Sequence, residues 1–414
     1  MTDPLSADAM MAGFRSRLDP SSTRPLAVGF SGGGDSLYLL MLACAFGRAH
    51  GRRVVALTVD HGLNPDSAAW TRAAGTVAVG LGAEWRALAW QGPKPSTGLP
   101  AAARLARHRL LADAARSVGS QVILLGQTAD DLAESAWMRR AGTPSLPDPR
   151  AWSPSPVWPE GRGLFLFRPM LSLRRQVIRQ VLSQRGLTWL EDPANTDMRF
   201  ARARARQALR QEPDMDRTAG PDPVPDAMRT HLAGQVTCTP EGYGTFDRDL
   251  VRDIPAAALH PILGAAIVSI GGALVPPGRG ALGRVVMQLA GTEPLRTHLA
   301  GVRLAADARR VILVRDARDL RRRTGPGDAG VFDTRFEIDP ATSVGFLAGR
   351  AARLSRQDRD MLRAIPALAR PSLPVLFPET AAPVLPAPIG TGQPAVTSLA
   401  PARFAATCGL VACE

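Results

Sequence analysis

The sequence predicts an α/β protein: a doubly wound parallel sheet, then a second, smaller region of mixed α+β character. Three observations lead there. Between residues 26 and 140, short apolar runs rich in β-branched residues alternate with longer segments of helical period, as in βαβ units. Several of these runs end in turns carrying glycine, serine or acids, at the edge where open α/β sheets hold ligands. The alternation then stops at a segment, residues 211–226, that contains four prolines and mixed charge.

Each element follows from its own residues. Residues 1–24 read as a short leader with one helical turn around residues 10–18. Residues 26–30 are a buried strand, and a helix follows over about 36–50. A continuous β-rich run at 54–59 gives the second strand, 67–81 the next helix and 84–90 the third strand. An arginine-rich helix over 99–118, a fourth strand over 122–125 and a helix over 128–140 complete the alternation. Residues 142–163, rich in proline and tryptophan, predict an irregular excursion. Beyond it 166–171 is extended, 174–184 helical, 189–197 turn-rich and 200–210 helical again.

The predicted division is thus a leader over 1–24, a first domain over 25–215 and a C-terminal region over 216–414. In the latter, 228–256 and 302–314 contain strand-like pieces around a helical 255–300, which residues 276–280 break in two. Residues 331–338 read as a further strand, and the tail from Pro366 is rich in proline and alanine. The literal G-x-G-x-x-G at 325–330 follows an arginine cluster rather than a strand and opens no helix, so it reads as a turn.

Lysine and arginine total 50 against 37 acids, a net charge of +13 that favours a polyanionic partner. Lys94 is the single lysine, so nearly all of that charge is guanidinium, suited to phosphate and base contacts. Cys44, Cys238, Cys408 and Cys413 form no C-x-x-C, and the histidines show no metal-ligand spacing. The longest apolar run, residues 262–275, is too short to cross a bilayer. A reduced, cytoplasmic protein without structural zinc or a membrane span is expected.

The most informative segment is Leu26-Ala27-Val28-Gly29-Phe30-Ser31-Gly32-Gly33-Gly34-Asp35-Ser36. A strand runs into glycines and then into a helix whose free N–H groups and dipole form an anion site. A Walker loop would place a lysine after the last glycine; Asp35 stands there instead. An acid at that place suits Mg²⁺ shared with pyrophosphate oxygens, hence ATP held by its pyrophosphate end. Ser-Gly-Gly-x-Asp-Ser resembles the signature of the N-type ATP pyrophosphatases, the PP-loop enzymes with the adenine nucleotide alpha hydrolase-like fold. The resemblance assigns Ser31, Gly32, Gly33, Gly34, Asp35 and Ser36 to ATP.

Three further motifs narrow it. Asp60 and His61 end the second strand; PP-loop enzymes carry this turn beside the nucleotide, although the same residues serve as strand-end caps. Ala102-Ala103-Arg104-Leu105-Ala106-Arg107-His108 sets Arg104 and Arg107 on one helix face, either for phosphate or RNA or as a solvated basic face. Thr128 precedes Asp130, Asp131 and Glu134, three carboxylates that can cluster at a helix start. Such acids could hold the ammonium groups of a cationic substrate, or simply stabilise the helix dipole.

With Glu191-Asp192-Pro193-Ala194-Asn195-Thr196-Asp197 and the alternating Arg202, Arg204 and Arg206, the ordered set resembles the tRNA(Ile)-lysidine synthases. Gln127, Leu132 and Ser135 depart from the family pattern around the acids, and His108 replaces its usual tyrosine. Helical geometry puts Arg202 and Arg206 on one face and Arg204 on the other. The resemblance implies ATP and Mg²⁺ as cofactors, with free L-lysine and a CAU-anticodon tRNA(Ile) as substrates. It further implies catalytic roles for Asp35, Asp130, Asp131, Arg104 and Arg107. Lysine or tRNA would contact Asp130, Asp131, Glu134, Arg202 and Arg206, and the region from about residue 217 would bind tRNA. A PP-loop thiolase would need reactive cysteines, of which the first domain offers only Cys44. A catalytically inactive RNA-binding relative would have little use for an intact Ser31–Ser36 loop.

Overall fold

A computed structural model describes residues 7–142, 149–191, 197–211, 226–320, 325–326, 330–379, 382–390, 392 and 396–411. The chain forms two compact units, 1–221 with 411–414 and 222–410.

In the first unit the helix α1 (Ala7–Arg15) leads into β1 (Leu26–Gly29), α2 (Gly34–His50), β2 (Val54–Asp60), α3 (Ser67–Gly80) and β3 (Glu84–Ala89). Then come α4 (Leu99–Ser117), β4 (Val122–Leu125), α5 (Ala129–Arg140), β5 (Trp152–Pro154), β6 (Phe165–Phe167), α6 (Arg175–Gln184) and α7 (Ala201–Gln211). The sheet order is β3-β2-β1-β4-β6-β5. All neighbours pair parallel except β5 and β6, so the predicted doubly wound sheet carries one antiparallel edge strand. That strand lies within 142–163, where the sequence predicted only an irregular excursion. Three residues are too few to show a period of two, so sheet pairing alone reveals it.

Strand side chains alternate between two apolar layers. Leu26, Val28, Val122 and Leu124 face the layer that contains Leu37, Leu40 and Phe46 of α2. Ala27, Ile123 and Leu125 face Leu111, Ala112 and Ala115 of α4. Phe14 and Leu18, in the segment read as a leader, are buried in the α2 layer; Phe14 lies 5.4 Å from Phe46 ring to ring. Chain order reverses between β1 and β4, so a crevice opens at the C-terminal ends of those two strands.

The second unit contains α8 (Asp226–Gly234), β7 (Val236–Cys238), β8 (Gly244–Asp247), α9 (Asp249–Asp253), α10 (Ala256–Gly271) and α11 (Arg279–Ala290). β9 (Leu295–Leu299), β10 (Val302–Ala306) and β11 (Arg310–Arg315) complete an antiparallel sheet of order β7-β8-β11-β10-β9. The sheet shares a core with α10, which is buried on every side from Ile262 to Gly271. Two small sheets follow. One joins β12 (Gly325–Pro326), β15 (Ser343–Phe346) and β16 (Pro374–Leu376); the other joins β13 (Val331–Phe332), β14 (Phe336–Glu337) and β17 (Thr397–Ser398). Two more helices, α12 (Arg356–Leu362) and α13 (Ala400–Cys408), belong to this unit.

Residues 228–256 contain the expected strand pieces, β7 and β8, set between the helices α8 and α9. Two local expectations change. Residues 295–299, read as helical, are the edge strand β9, whose exposed and half-buried residues alternate. Residues 331–338 form a hairpin, because Asp333 and Thr334 take φ of +50° and +59° and reverse the chain. Of the 325–330 motif, residues 327–329 lie outside the described residues, and Gly325–Pro326 pair with β15. The tail is not featureless: Leu385, Val396, Ala400 and Phe404 are buried.

Candidate active site

The crevice is a cavity of about 540 Å³, lined by the loop after β1, His61, α4, Gln127, Asp131, α6, residues 189–191 and α7. Its floor is the glycine loop. Gly32 has φ of +82°, which a side chain would strain, and a Cβ there would meet Leu190 Cδ1 at 2.6 Å. Leu190 N–H donates to Gly32 O at 3.0 Å and the Trp189 ring lies against Gly34, so residues 189–190 cover the loop. Ser36 Oγ donates to Gly33 O at 2.8 Å and lies 3.1 Å from Ser31 Oγ, which closes the loop on itself. The N-cap residue of α2 is Gly33, which has no side chain to cap the helix, and the amides of the first turn have no partner within the helix. Those amides at Gly34, Asp35 and Ser36 edge the cavity as an anion cradle. Gly126, after β4, admits the helix start: a Cβ would stand 3.0 Å from Asp35 O.

Asp35 meets a cation that sequence reading missed. Its Oδ2 accepts from Arg175 Nε at 2.9 Å, while Oδ1 is buried without a partner among the described residues. Burial raises the Asp35 pKa, and Arg175 offsets that only in part. Arg175 Nη1 also reaches Glu134 Oε1 at 3.1 Å, and its Nη2 lies 3.6 Å from Asp131 Oδ2. Burial works against charge on Arg175, but Asp131, Asp35 and Glu134 together hold its pKa above the usual guanidinium value.

The three acids of α5 have different occupations. Asp130 Oδ2 accepts the backbone N–H of Arg175 at 2.7 Å and so caps α6; it is not among the cavity's lining residues. Asp131 Oδ2 accepts from Thr128 N and Oγ1 at 2.9 and 3.1 Å, and its Oδ1 from Arg202 Nη1 at 3.1 Å. Glu134, 1% exposed, is enclosed by Arg175, Arg206 (Nε to Oε1, 2.7 Å) and Arg202 (Nη1 to Oε2, 3.6 Å). Asp35, Asp131 and Glu134 are thus matched by three guanidiniums. Such a cluster tolerates burial only while each charge keeps its partner.

Arg104 and Arg107 line the wall formed by α4. Neither makes a hydrogen bond or ion pair among the described residues. Desolvation in the crevice and the nearby Arg202 lower the pKa of both, although Arg104 is open to solvent along much of its length. Behind them His108 is buried; desolvation and then Arg107, Arg104 and Arg168 depress its pKa to about 3. His61 lies against Trp90 edge to face at 6.1 Å, and its Nδ1 is buried without a partner among the described residues. Asp60, by contrast, turns its carboxylate to Gly62 N at 2.8 Å and closes its own turn.

On α7, Arg202 and Arg206 line the cavity, whereas Arg204 Nη1 donates to Met198 O at 2.9 Å. Asp192 and Asn195 lie outside the described residues; Glu191 accepts from Trp189 Nε1 at 2.8 Å and pairs with Arg179 at 2.9 Å. Arg179, Trp189 and Arg210 also line the site without having been singled out from the sequence. The readable signal for Arg175 was an arginine at the first position of a helix, where the dipole opposes a cation.

Comparison with known proteins agrees with this architecture. The PP-loop domain family matches residues 8–213. A tRNA(Ile)-lysidine synthase from Caulobacter vibrioides is 44% identical over 98% of both chains. Enzymes of the same name from Rhizobium meliloti and Ruegeria pomeroyi are each 31% identical, over 78% and 81% of this chain and 75% and 81% of their own. With its loop, acidic helix and arginine pairs assembled at one sheet edge, and with relatives matching along nearly the whole chain, the protein belongs to the tRNA(Ile)-lysidine synthase family of PP-loop enzymes.

Proposed function

We propose that this chain joins lysine to C2 of the wobble cytidine, position 34, of the isoleucine tRNA with a CAU anticodon, forming lysidine. In the first step the C2 carbonyl oxygen attacks the α-phosphorus of ATP, the bond to the β-phosphate oxygen breaks, and pyrophosphate leaves. In the second the lysine amine attacks C2, the C2–O bond breaks, AMP departs with that oxygen, and the amine gives up a proton. Adenylation is required because a carbonyl oxygen leaves poorly and AMP leaves well.

One observation carries this reading: the anion cradle of α2, Arg104 and Arg107, which are unpaired among the described residues, and Asp131 of α5 border a single cavity, with Glu134 buried behind it and joined to it through Arg175, Arg202 and Arg206. Backbone amides from Gly32 to Ser36 and the Ser31 hydroxyl take the pyrophosphate, with His61 beside the adenosine. Arg104 and Arg107 face charge building on the α-phosphate, where positioned cations are worth most. Asp131 and Glu134 take the lysine ammonium group. Both are already matched by guanidiniums, so charge balance asks one to turn away; Arg202, the most exposed at 42%, is placed to turn to an RNA phosphate.

Mg²⁺ fits the residues present. Asp35 Oδ1 is buried and has no partner among the described residues, and a magnesium site needs only one or two carboxylates beside substrate phosphates. Among the described residues no group of three His, Cys, Asp or Glu forms a protein-only cage. When bound, the ion would supply positive charge against the departing pyrophosphate. Cys44, the cysteine among the first unit's described residues, is buried, and burial pushes its thiol pKa up, which disfavours a thiolase. The place of action is the cytoplasm, where tRNA, ATP and free lysine coexist; among the described residues no helix is long and apolar enough to cross a membrane.

Mass spectrometry of isoleucine tRNA after incubation with protein, ATP, Mg²⁺ and lysine tests the proposal. Lysine joined to the wobble cytidine is expected; unmodified tRNA alongside active ATP–pyrophosphate exchange would overturn the assignment of the second step.

A further inference from the structure

We infer that Arg175 is the positioning residue of this site, one guanidinium that fixes the PP-loop carboxylate relative to the acids of α5. The inference rests on the lysidine-forming reading above and adds a residue to which that reading gives no role.

The contacts come from one side chain and its own backbone. Nε holds Asp35 Oδ2 at 2.9 Å, Nη1 holds Glu134 Oε1 at 3.1 Å, and Nη2 lies 3.6 Å from Asp131 Oδ2. The backbone N–H is held by Asp130 Oδ2 at 2.7 Å. Asp35 belongs to α2, the other acids to α5 and Arg175 to α6, so the guanidinium is the shared partner of Asp35, Asp131 and Glu134. Its placement is costly. Position one of a helix carries the positive end of the dipole, and the arginine side chain is only 18% exposed. A site with those penalties is explained by the geometry it imposes: a planar fork reaches several carboxylates in fixed directions, which a lysine ammonium does not. Holding Asp35 through Oδ2 leaves Oδ1 buried and without a partner among the described residues. The loop and α5 are then held at one separation, as adenylation of the tRNA by ATP followed by attack of lysine requires.

The test uses Arg175→Lys and Arg175→Met in the full chain. Each is assayed for lysine-independent ATP–pyrophosphate exchange, for lysidine formation with kcat and KM measured separately, and for thermal midpoint without ligands. Arg175→Lys keeps one positive charge among the acids and is expected to unfold within a few degrees of wild type. Its kcat should nevertheless fall about 100-fold, the scale of a misplacement near 1 Å. A second arm uses Glu134→Gln, which does not touch the loop. In the wild-type background it should slow pyrophosphate exchange severalfold, and in Arg175→Met it should add nothing. If Arg175→Lys restores both midpoint and kcat, or if Glu134→Gln leaves exchange unchanged in the wild-type background, the positioning role is wrong. Should Arg175→Met lower the lysine KM with kcat intact, the guanidinium only occupies the place of a substrate cation. A wild-type protein that makes no lysidine would instead refute the underlying reaction.

Discussion

Asp35 stands where ATP chemistry and protein charge meet. One of its oxygens is held by Arg175 and the other is buried without a partner among the described residues, so Asp35→Ala removes a charge and frees a guanidinium together. Pyrophosphate release is expected to fall by at least about 100-fold, with the fold retained by circular dichroism. Rates near wild type at saturating Mg²⁺ would disprove the assignment. The hydrogen bonds also separate two acids that look equivalent in sequence. Asp131 meets Arg202 at the cavity, so Asp131→Asn should raise the lysine KM by about 10-fold or more, the range of a charge-assisted hydrogen bond. Asp130 caps α6, and asparagine still accepts an N–H; Asp130→Asn should cost about 0.5–1 kcal/mol of stability and leave that KM alone. Equal effects on KM would show that both acids face lysine.

At the scale of elements, the site depends on how closely β4 approaches the start of α2. Gly126→Ala would press a methyl group against the Asp35 backbone carbonyl at 3.0 Å, so the loop must shift. The expected cost is about 1–3 kcal/mol with a raised KM for ATP; an unchanged KM in a destabilised protein would mean that the strain is absorbed elsewhere. Helix α4 adds a pH dependence. The folded pKa of His108, about 3, lies below its ordinary 6.5, so the unfolded chain binds the proton first as pH falls. Its contribution is intact above pH 6.5 and declines below it, at up to about 1.4 kcal/mol per pH unit. Urea titrations at pH 7 and pH 5 should show His108→Gln losing less stability than wild type over that interval; equal losses would mean that His108 is charged when folded.

Across the whole molecule, nucleotide chemistry is proposed for the first unit and tRNA binding for the second. The unit at 222–410 has apolar cores of its own and carries exposed arginines such as Arg318 and Arg363, while Arg321, Arg322 and Arg323 lie outside the described residues. A chain ended after Gln211 should therefore retain ATP binding while binding tRNA far more weakly. It gives up the hydrogen bond within the first unit from Trp152 Nε1 to Val411 O. Because arginines that neutralise phosphates release counterions, the logarithmic salt slope should drop by about one for each phosphate left without its arginine. Equal affinity and slope for both chains at two salt concentrations would show that the second unit only supports the first.

The sequence by itself determined the sheet, because strands and helices of ordinary length declare themselves through period, and it determined the anion loop, whose glycines and serines act through backbone close to them in the chain. It also set Arg202 and Arg206 apart from Arg204, since helical spacing is a local property. Tertiary structure alone decided which charges meet. Arg175 lies 140 positions from Asp35 in the chain and 41 from Glu134, so no local pattern could join them. The division of labour between Asp130 and Asp131 arose in the same way: both occupy the first turn of α5, but only the packing of α6 turns one into a cap and the arrival of α7 gives the other an arginine. The short edge strand β5 and the hairpin at 331–337 have the same origin, since two or three residues carry no period and become strands only when a partner supplies the hydrogen bonds.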